Sequence, residues 1–237
     1  MKQRIGSGYT ADVYAYGDLK VCKLFVDGYP ESAIQREYNH ARRMMDLGVP
    51  VPVCYGMFRQ QNRMGIIYER IFGESLLDFF IRSGDAKFTV GTLVSLHQKI
   101  IHRHAEGLSS YKQFLRQCIQ KKNAELLKEI DKLPDGNSLC HGDYHPGNVL
   151  LGQDGGVTLI DFMNVCRGPW QYDVARTYFL IKRGALPGDI PYIETMEALQ
   201  PQLATNYISA MNVHYDEIAR FVEVISEVRR YELANLV

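Results

Sequence analysis

The run Cys140-His141-Gly142-Asp143-Tyr144-His145-Pro146-Gly147-Asn148-Val149-Leu150, followed by Thr158-Leu159-Ile160-Asp161-Phe162, decides how this chain is read. It places an Asp, an Asn five positions on, and a second Asp after an apolar β-like segment. Transfer of a phosphoryl group from a metal-bound nucleotide needs three polar groups of this kind. A hydroxyl nucleophile must lose its proton as it attacks, and a carboxylate in hydrogen-bond reach can accept it, which suits Asp143. The phosphates carry heavy negative charge that hard cations with oxygen ligands neutralise. The Asn148 amide oxygen and the Asp161 carboxylate suit Mg²⁺. Val149-Leu150-Leu151 and Val157-Thr158-Leu159-Ile160 read as short strands joined by the turn residues Gln153-Asp154-Gly155-Gly156. Such a hairpin is expected to bring Asn148 and Asp161 back to one end. The competing reading is a plain polar loop, or a small transition-metal cluster of His141, Asp143 and His145. It leaves the Asn, the hairpin and the second Asp without a role.

Working outward, Ile5-Gly6-Ser7-Gly8-Tyr9-Thr10-Ala11-Asp12-Val13-Tyr14 sets a Gly-x-Gly between β-formers, and Val21-Cys22-Lys23-Leu24-Phe25 reads as a strand with a central cation. Gly6, Ser7 and Gly8 would let a hairpin press its N–H groups onto phosphate oxygens, and Lys23 could reach the same phosphates. From Pro30 to Leu47 the apolar residues Ile34, Tyr38, Ala41 and Met45 recur at helical spacing, with Pro30 in the first turn and Gly48 at the stop. Glu37, at the edge of that stripe, is the candidate ion-pair partner of Lys23; the alternative is a solvated charge beside Arg36, Arg42 and Arg43. Met64 to Ile71 reads as a strand running into Phe72-Gly73-Glu74. There Glu69 and Ile71 are candidates for main-chain contacts to a nucleotide base, and Gly73 for the bend.

Together these motifs resemble the aminoglycoside phosphotransferase and choline kinase-like group, and the resemblance covers nearly the whole chain. It implies an α+β, two-lobed protein-kinase-like fold: a small β-rich N-terminal lobe with one main helix over residues 1–70, and a larger, mainly helical C-terminal lobe over 71–237. It also implies transfer of the γ-phosphoryl of ATP (or GTP), with Mg²⁺, to a hydroxyl of a small molecule. Carried over residue by residue, Asp143 would be the catalytic base, Asn148 and Asp161 the Mg²⁺ ligands, and Lys23 a phosphate anchor positioned by Glu37. Asp173, in Gly168-Pro169-Trp170-Gln171-Tyr172-Asp173-Val174-Ala175, would brace the catalytic loop. The His-Gly-Asp opening, where protein kinases usually have His-Arg-Asp, points to small-molecule kinases. Met163 stands where protein kinases have Gly, which argues against their loop switch.

Composition narrows little else. With 237 residues, 46% of them hydrophobic, the chain can bury a sizeable core. Lys+Arg and Asp+Glu are both 27, so no net field draws it to nucleic acid or membrane. The five cysteines, Cys22, Cys54, Cys118, Cys140 and Cys166, are odd in number and lack a Cys-x-x-Cys pair. With the polar opening Met1-Lys2-Gln3-Arg4 and no long apolar run, they lead to an expected reduced, cytoplasmic protein. The residues between are expected to be helical: one stripe holds Val90, Leu93, Val94, His97, Ile100, Ile101 and His104, and another holds Tyr111, Phe114, Leu115, Cys118 and Ile119 and ends before Pro134.

From Pro187 onward, the acids Asp189, Glu194, Glu197, Asp216, Glu217, Glu223, Glu227 and Glu232 stand against Arg220, Arg229 and Arg230. An acidic wall would attract a cationic substrate such as an amine. The same acids read as the solvated face of two terminal helices, and that reading is preferred. A protein kinase, or a nucleotide-binding module without turnover, are the alternative functions. Against the first, no Ala-Pro-Glu-like segment follows Asp161; against the second, every charged part named above is present.

Overall fold

The computed structural model describes residues 3–120, 122–186 and 193–234. In chain order the elements are β1 (Arg4–Ser7), β2 (Ala11–Ala15), β3 (Lys20–Phe25), α1 (Glu31–Asp46), β4 (Cys54–Gln60), β5 (Arg63–Glu69), β6 (Gly73–Ser75), α2 (Leu76–Ser83), α3 (Ala86–Ile101), α4 (Tyr111–Ile119) and α5 (Ala124–Lys132). They continue as β7 (Ser138–Cys140), β8 (Val149–Gly152), β9 (Val157–Leu159), β10 (Cys166–Gly168), α6 (Trp170–Arg183), α7 (Ile193–Ala210) and α8 (Tyr215–Ala234). The chain forms two compact units. The first runs through Glu74 and takes in Leu150–Met163; the second holds Ser75–Val149 and the residues from Asn164 on. The expected single break between residues 70 and 71 differs from this division in two respects: residues 71–74 and the returning Leu150–Met163 segment both count with the first unit.

In the first unit, antiparallel pairing gives a five-stranded sheet in the order β1-β2-β3-β5-β4. Cys22 and Leu24 of β3 are buried on one face, and strand alternation turns Lys23 and Phe25 to the other. Helix α1 packs on β4 and β5. It begins after Pro30, carries Glu31 in its first turn, and stops before Gly48, whose φ is +67°. Its buried face is Ala33, Ile34, Glu37, His40, Ala41 and Met44, whereas Tyr38 and Met45 are only half-buried. The expected apolar stripe is therefore rotated: two polar residues, Glu37 and His40, sit at the centre of the inward face because they have partners there. The expected strands around Gln153–Gly156 form as β8 and β9 in a sheet of order β6-β8-β9, and the Gly152 N–H closes the turn onto the Gly156 carbonyl at 2.8 Å. Gly73 answers to close approach and not to a bend: an added Cβ would stand 1.8 Å from the Leu151 carbonyl oxygen.

The second unit is mainly helical. Helix α6 is its centre, packed against α7, α8 and β7, with Tyr172, Val174, Ala175 and Ile181 buried. The stretch expected as one helix before Pro134 is two, α4 and α5. A capping box joins Ser110 and Gln113 at the start of α4, and Asn123 caps α5 by accepting the Leu126 N–H. The five cysteines form no disulfide with one another. Burial pushes the thiols of Cys22 and Cys54 up to about 11 and that of Cys118 to about 12, so they are not poised as thiolates. Among the described residues no helix is long and apolar enough to cross a membrane.

Two glycine substitutions should move stability in opposite directions. Gly73→Ala forces the β6 and β8 backbones apart and should lower unfolding free energy by about 1–3 kcal/mol. Gly91→Ala lies inside α3 with nothing within 4 Å of the new methyl, so it should raise it by roughly 0.5–1 kcal/mol. Urea unfolding of the two variants checks both signs.

Candidate active site

In the second unit, the loop after β7 is held by main-chain contacts from α6. The carboxylate of Asp173 accepts the His141 N–H on Oδ2 and the Gly142 N–H on Oδ1, each at 2.8 Å. Asp173 is fully buried in the first turn of α6, where the helix dipole favours a negative charge. His97 Nε2 lies 2.9 Å from Asp173 Oδ2, and His97 Nδ1 lies 2.5 Å from the Tyr207 hydroxyl. A carboxylate only accepts, so Nε2 carries the proton of that bond, and in the neutral tautomer Nδ1 takes the Tyr207 O–H. Burial alone would raise the Asp173 carboxyl, but His97 and the amides of Gly142 and His141 outweigh it and hold it below its ordinary value.

Gly142 has φ +74°, and a Cβ there would meet the Asn164 carbonyl oxygen at 2.3 Å. That is the local reason for glycine in His-Gly-Asp: an L side chain would be strained and would clash. One residue on, the Asp143 carboxylate is three-quarters buried. Asn148 Nδ2 donates to the Asp143 carbonyl at 2.8 Å and lies 3.4 Å from its Oδ2. The amide oxygen of Asn148 is thereby turned away from Asp143. Tyr144 anchors the loop from beneath by donating to the Leu93 carbonyl at 2.8 Å. His145 supports the turn, its Nδ1 accepting the Gly147 N–H at 3.1 Å. Among the described residues no group of three or more His, Cys, Asp or Glu is placed to hold a metal ion, so the His141, Asp143 and His145 cluster does not form.

In the first unit, the ion pair expected between Lys23 and Glu37 is present at 2.7 Å, and Lys23 also reaches Asp161 Oδ1 at 3.1 Å. Burial works against the Lys23 charge, but the Asp161 and Glu37 carboxylates overcome it and push its pKa up. Burial pushes the Glu37 carboxyl up despite Lys23, and Asp161 adds to the rise. The Lys23 shift follows from two carboxylates around one ammonium, whereas the Glu37 shift is first a cost of burial, to which the second anion adds. Asp161 is 40% exposed and has φ +67°, a left-handed conformation uncommon for a non-glycine residue. His40, one turn beyond Glu37 on α1, donates from Nδ1 to the Phe162 carbonyl at 2.9 Å.

Gly6, Ser7 and Gly8 lie at the β1–β2 turn, where the Ser7 hydroxyl donates to Asp12 Oδ1 at 3.1 Å. Added Cβ atoms at Gly6 or Gly8 would find their nearest neighbours at 3.6 and 3.5 Å, ordinary contact, and neither has positive φ. The fold itself does not require glycine at either position. Glu69 ends β5, and its N–H is bonded to the Val53 carbonyl at 2.8 Å, so a main-chain contact to a base would use its carbonyl. Ile71 is half-buried between β5 and β6.

The candidate residues thus gather as two groups: Lys23, Glu37 and Asp161 in the first unit, and Asp143 and Asn148 in the second. Sequence reading missed Tyr207, Arg176 and His40, and it placed His97 only on a helical stripe. The available signal was a polar residue on an otherwise apolar helical stripe. Its partner, however, lay 76 positions away for His97 and 122 for His40. The tail acids are mostly engaged. Glu217 accepts the His214 N–H, Glu223 pairs with Arg220, Glu227 with Arg230, and Glu232 with Arg176 and Arg229. Asp189 lies outside the described residues, as do Met1 and Lys2. Glu223 and Glu227 pair on the exposed side of α8, as a solvated face would have it, whereas Glu232 is turned inward onto the buried Arg176.

The fold is α+β, two-lobed and protein-kinase-like, with a β-rich N-terminal part and a mostly helical C-terminal part. Residues 3–200 match the phosphotransferase enzyme family (APH), and the chain belongs to that family. Similar solved structures include an aminoglycoside-3'-phosphotransferase of type VIII, at 17% identity and TM-score 0.61 over 96% of this chain and 92% of that one. Another is aminoglycoside phosphotransferase APH(3'')-Id from Streptomyces rimosus ATCC10970 in complex with ADP and streptomycin, at 14% identity and TM-score 0.60 over 90% and 88%. A third is a thermostable mutant of APH(4)-Ia in ternary complex with ADP and hygromycin B, at 14% and 0.59 over 97% and 93%. No curated protein matches the sequence.

The Asp173 network carries a pH signature. Its folded pKa lies below the unfolded value, so the unfolded state binds more protons between the two, and stability rises with pH across that window. The contribution is complete above about pH 4 to 5 and is lost as pH falls through the folded value. Asp173→Asn should lower stability at neutral pH by about 3–5 kcal/mol and flatten the acid limb. Urea midpoints measured at a series of acidic pH values test this; an unchanged acid limb would contradict it.

Proposed function

We propose that this chain is a small-molecule kinase that transfers the γ-phosphoryl group of ATP, or GTP, to a hydroxyl of a small substrate. One observation carries the reading: a fully buried carboxylate fixes two successive peptide groups immediately before Asp143, and Asn148 fixes the Asp143 carbonyl. Such holding suits a group that must meet a hydroxyl at a set distance. Asp143 accepts the proton of the attacking hydroxyl. Lys23, held by Glu37, takes phosphate oxygens, and the N–H groups around Gly6, Ser7 and Gly8 cradle them. The Glu69 carbonyl and the Ile71 main chain contact the base.

The donor chemistry fits Mg²⁺. Asp161 offers a partly exposed carboxylate, and Asn148 offers an amide oxygen not used in its contacts with Asp143, both of which run through its nitrogen. Two oxygen side chains are too few for a protein cage. They suit an ion that completes its shell with phosphate and water. When bound, Mg²⁺ would neutralise charge on the transferring phosphates. Streptomycin and hygromycin B, named with two similar structures, are cationic amino sugars, which makes a cationic acceptor one arm of the test; the pairing of the tail acids does not favour it.

Labelled ATP and Mg²⁺ with a panel of amines, amino sugars, nucleosides and sugars, against generic proteins, tests the proposal. Label should enter a metabolite and not a protein; transfer to proteins would favour the protein-kinase alternative, and none at all the module without turnover. Asp143→Asn should leave nucleotide affinity nearly intact while turnover falls roughly 10²- to 10⁴-fold. Asp161→Asn, which tolerates the left-handed backbone, should weaken Mg²⁺-nucleotide binding as well as rate. Gly6→Ala and Gly8→Ala should leave the melting temperature almost unchanged and weaken nucleotide binding, as calorimetric titration would show.

A further inference from the structure

The second unit holds a buried cation that phosphoryl transfer, as proposed above, does not use. Arg176, on α6, is 1% exposed. Its Nε donates to the carbonyl of Gly142, the residue before Asp143. Its Nη2 donates to Glu232 Oε1 at 2.7 Å, and its guanidinium stands over the Phe114 ring, 5.0 Å from the centroid. Glu232 belongs to the end of α8 and also takes Arg229 at 2.8 Å. Burial opposes its ionised form, yet Arg176 and Arg229 hold its carboxyl below the ordinary value.

Arg176 and Asp173 are one turn apart on α6 and so share a face. Between them they hold both main-chain groups of Gly142: Asp173 takes the N–H, Arg176 the C=O. Glycine is the residue with most conformational freedom, and this one sits at φ +74°. Unless both groups are held, the direction of the next residue, Asp143, is poorly set. Each arm needs its own support. Asp173 has His97. Arg176 has Glu232, and because the guanidinium is a rigid plane whose Nε–H and Nη2–H share an edge, a carboxylate that fixes one donor fixes the other.

We propose that Glu232 is a positioning residue for Asp143: from the C-terminal helix it sets the Arg176 guanidinium that clamps the Gly142 carbonyl. The clamp itself is independent of the phosphotransfer reading, and its effect on turnover rests on that reading.

The test is amide hydrogen exchange over residues 139–144 in the full chain without nucleotide, for Glu232→Ala, Glu232→Gln and the control Arg230→Ala. Arg230 pairs with Glu227 on the solvent side of the same helix, the two side chains being 77% and 57% exposed. Glu232→Ala should speed local exchange by roughly tenfold, Glu232→Gln, which keeps an acceptor oxygen, should restore most of the protection, and Arg230→Ala should change nothing. If Glu232→Ala fails to fold, Glu232→Gln carries the test through a smaller rise confined to the same segment. On an acceptor identified from the panel, Glu232→Ala should lower kcat by roughly tenfold with KM for nucleotide within about twofold. Unchanged exchange at 139–144 in a folded variant overturns the proposal, as does a fall in melting temperature with kcat intact. A parent protein that never consumes ATP, beside a localised rise in exchange, counts against the kinase reading and leaves the clamp standing.

Discussion

The Asp173 carboxylate is the point on which the second unit turns. An ionised carboxylate out of water costs several kcal/mol unless hydrogen-bond donors replace the solvent. Here three donors do so, and they come from α3 and from two successive peptide groups of the loop. Each is therefore held by the same requirement. If α3 shifts, His97 leaves a buried charge short of a partner; if the loop relaxes, two amides and the charge are stranded together. The loop that ends in Asp143 is rigid because its departure would leave that charge unsatisfied.

The first unit uses charge differently. Lys23 stands between two carboxylates, one fully buried and one partly exposed. The buried one, Glu37, belongs to the inward face of α1, and one turn further His40 holds the peptide carbonyl next to Asp161. A single helix thus fixes both the cation and the backbone beside the exposed anion. The buried carboxylate bears the cost of that sharing: burial and the neighbouring Asp161 both raise the Glu37 carboxyl against the pull of Lys23. Asp161 itself keeps a left-handed backbone, uncommon for a residue with a side chain.

Much of this was legible in the sequence because it rests on short-range rules. The strands around Lys23, the hairpin after Asn148 and the limits of α1 follow from alternation, turn residues and Pro–Gly punctuation. Asp143, Asn148 and Asp161 stood out because an Asp, an Asn and a second Asp at those spacings suit phosphoryl transfer; the structure joins Asn148 to Asp143 and Asp161 to Lys23. What failed was the rotation of α1: an apolar stripe through Tyr38 and Met45 was the natural choice while Glu37 and His40 counted as polar. Only their distant partners make the polar face the buried one. His97, Tyr207 and Arg176 escaped for the same reason, since a buried polar residue is explained by what it meets across the fold. The requirement at Gly73, close approach of Leu151, was invisible for want of any local sign of a neighbouring strand.

The central claim is that the chain binds a nucleotide through a divalent ion held by oxygen side chains. Calorimetric titration of ATP into the intact protein, with Mg²⁺ and again with excess chelator, tests it most directly. Saturable binding that is lost or sharply weakened on chelation is the predicted result. Equally tight binding in both, or none in either, would contradict it.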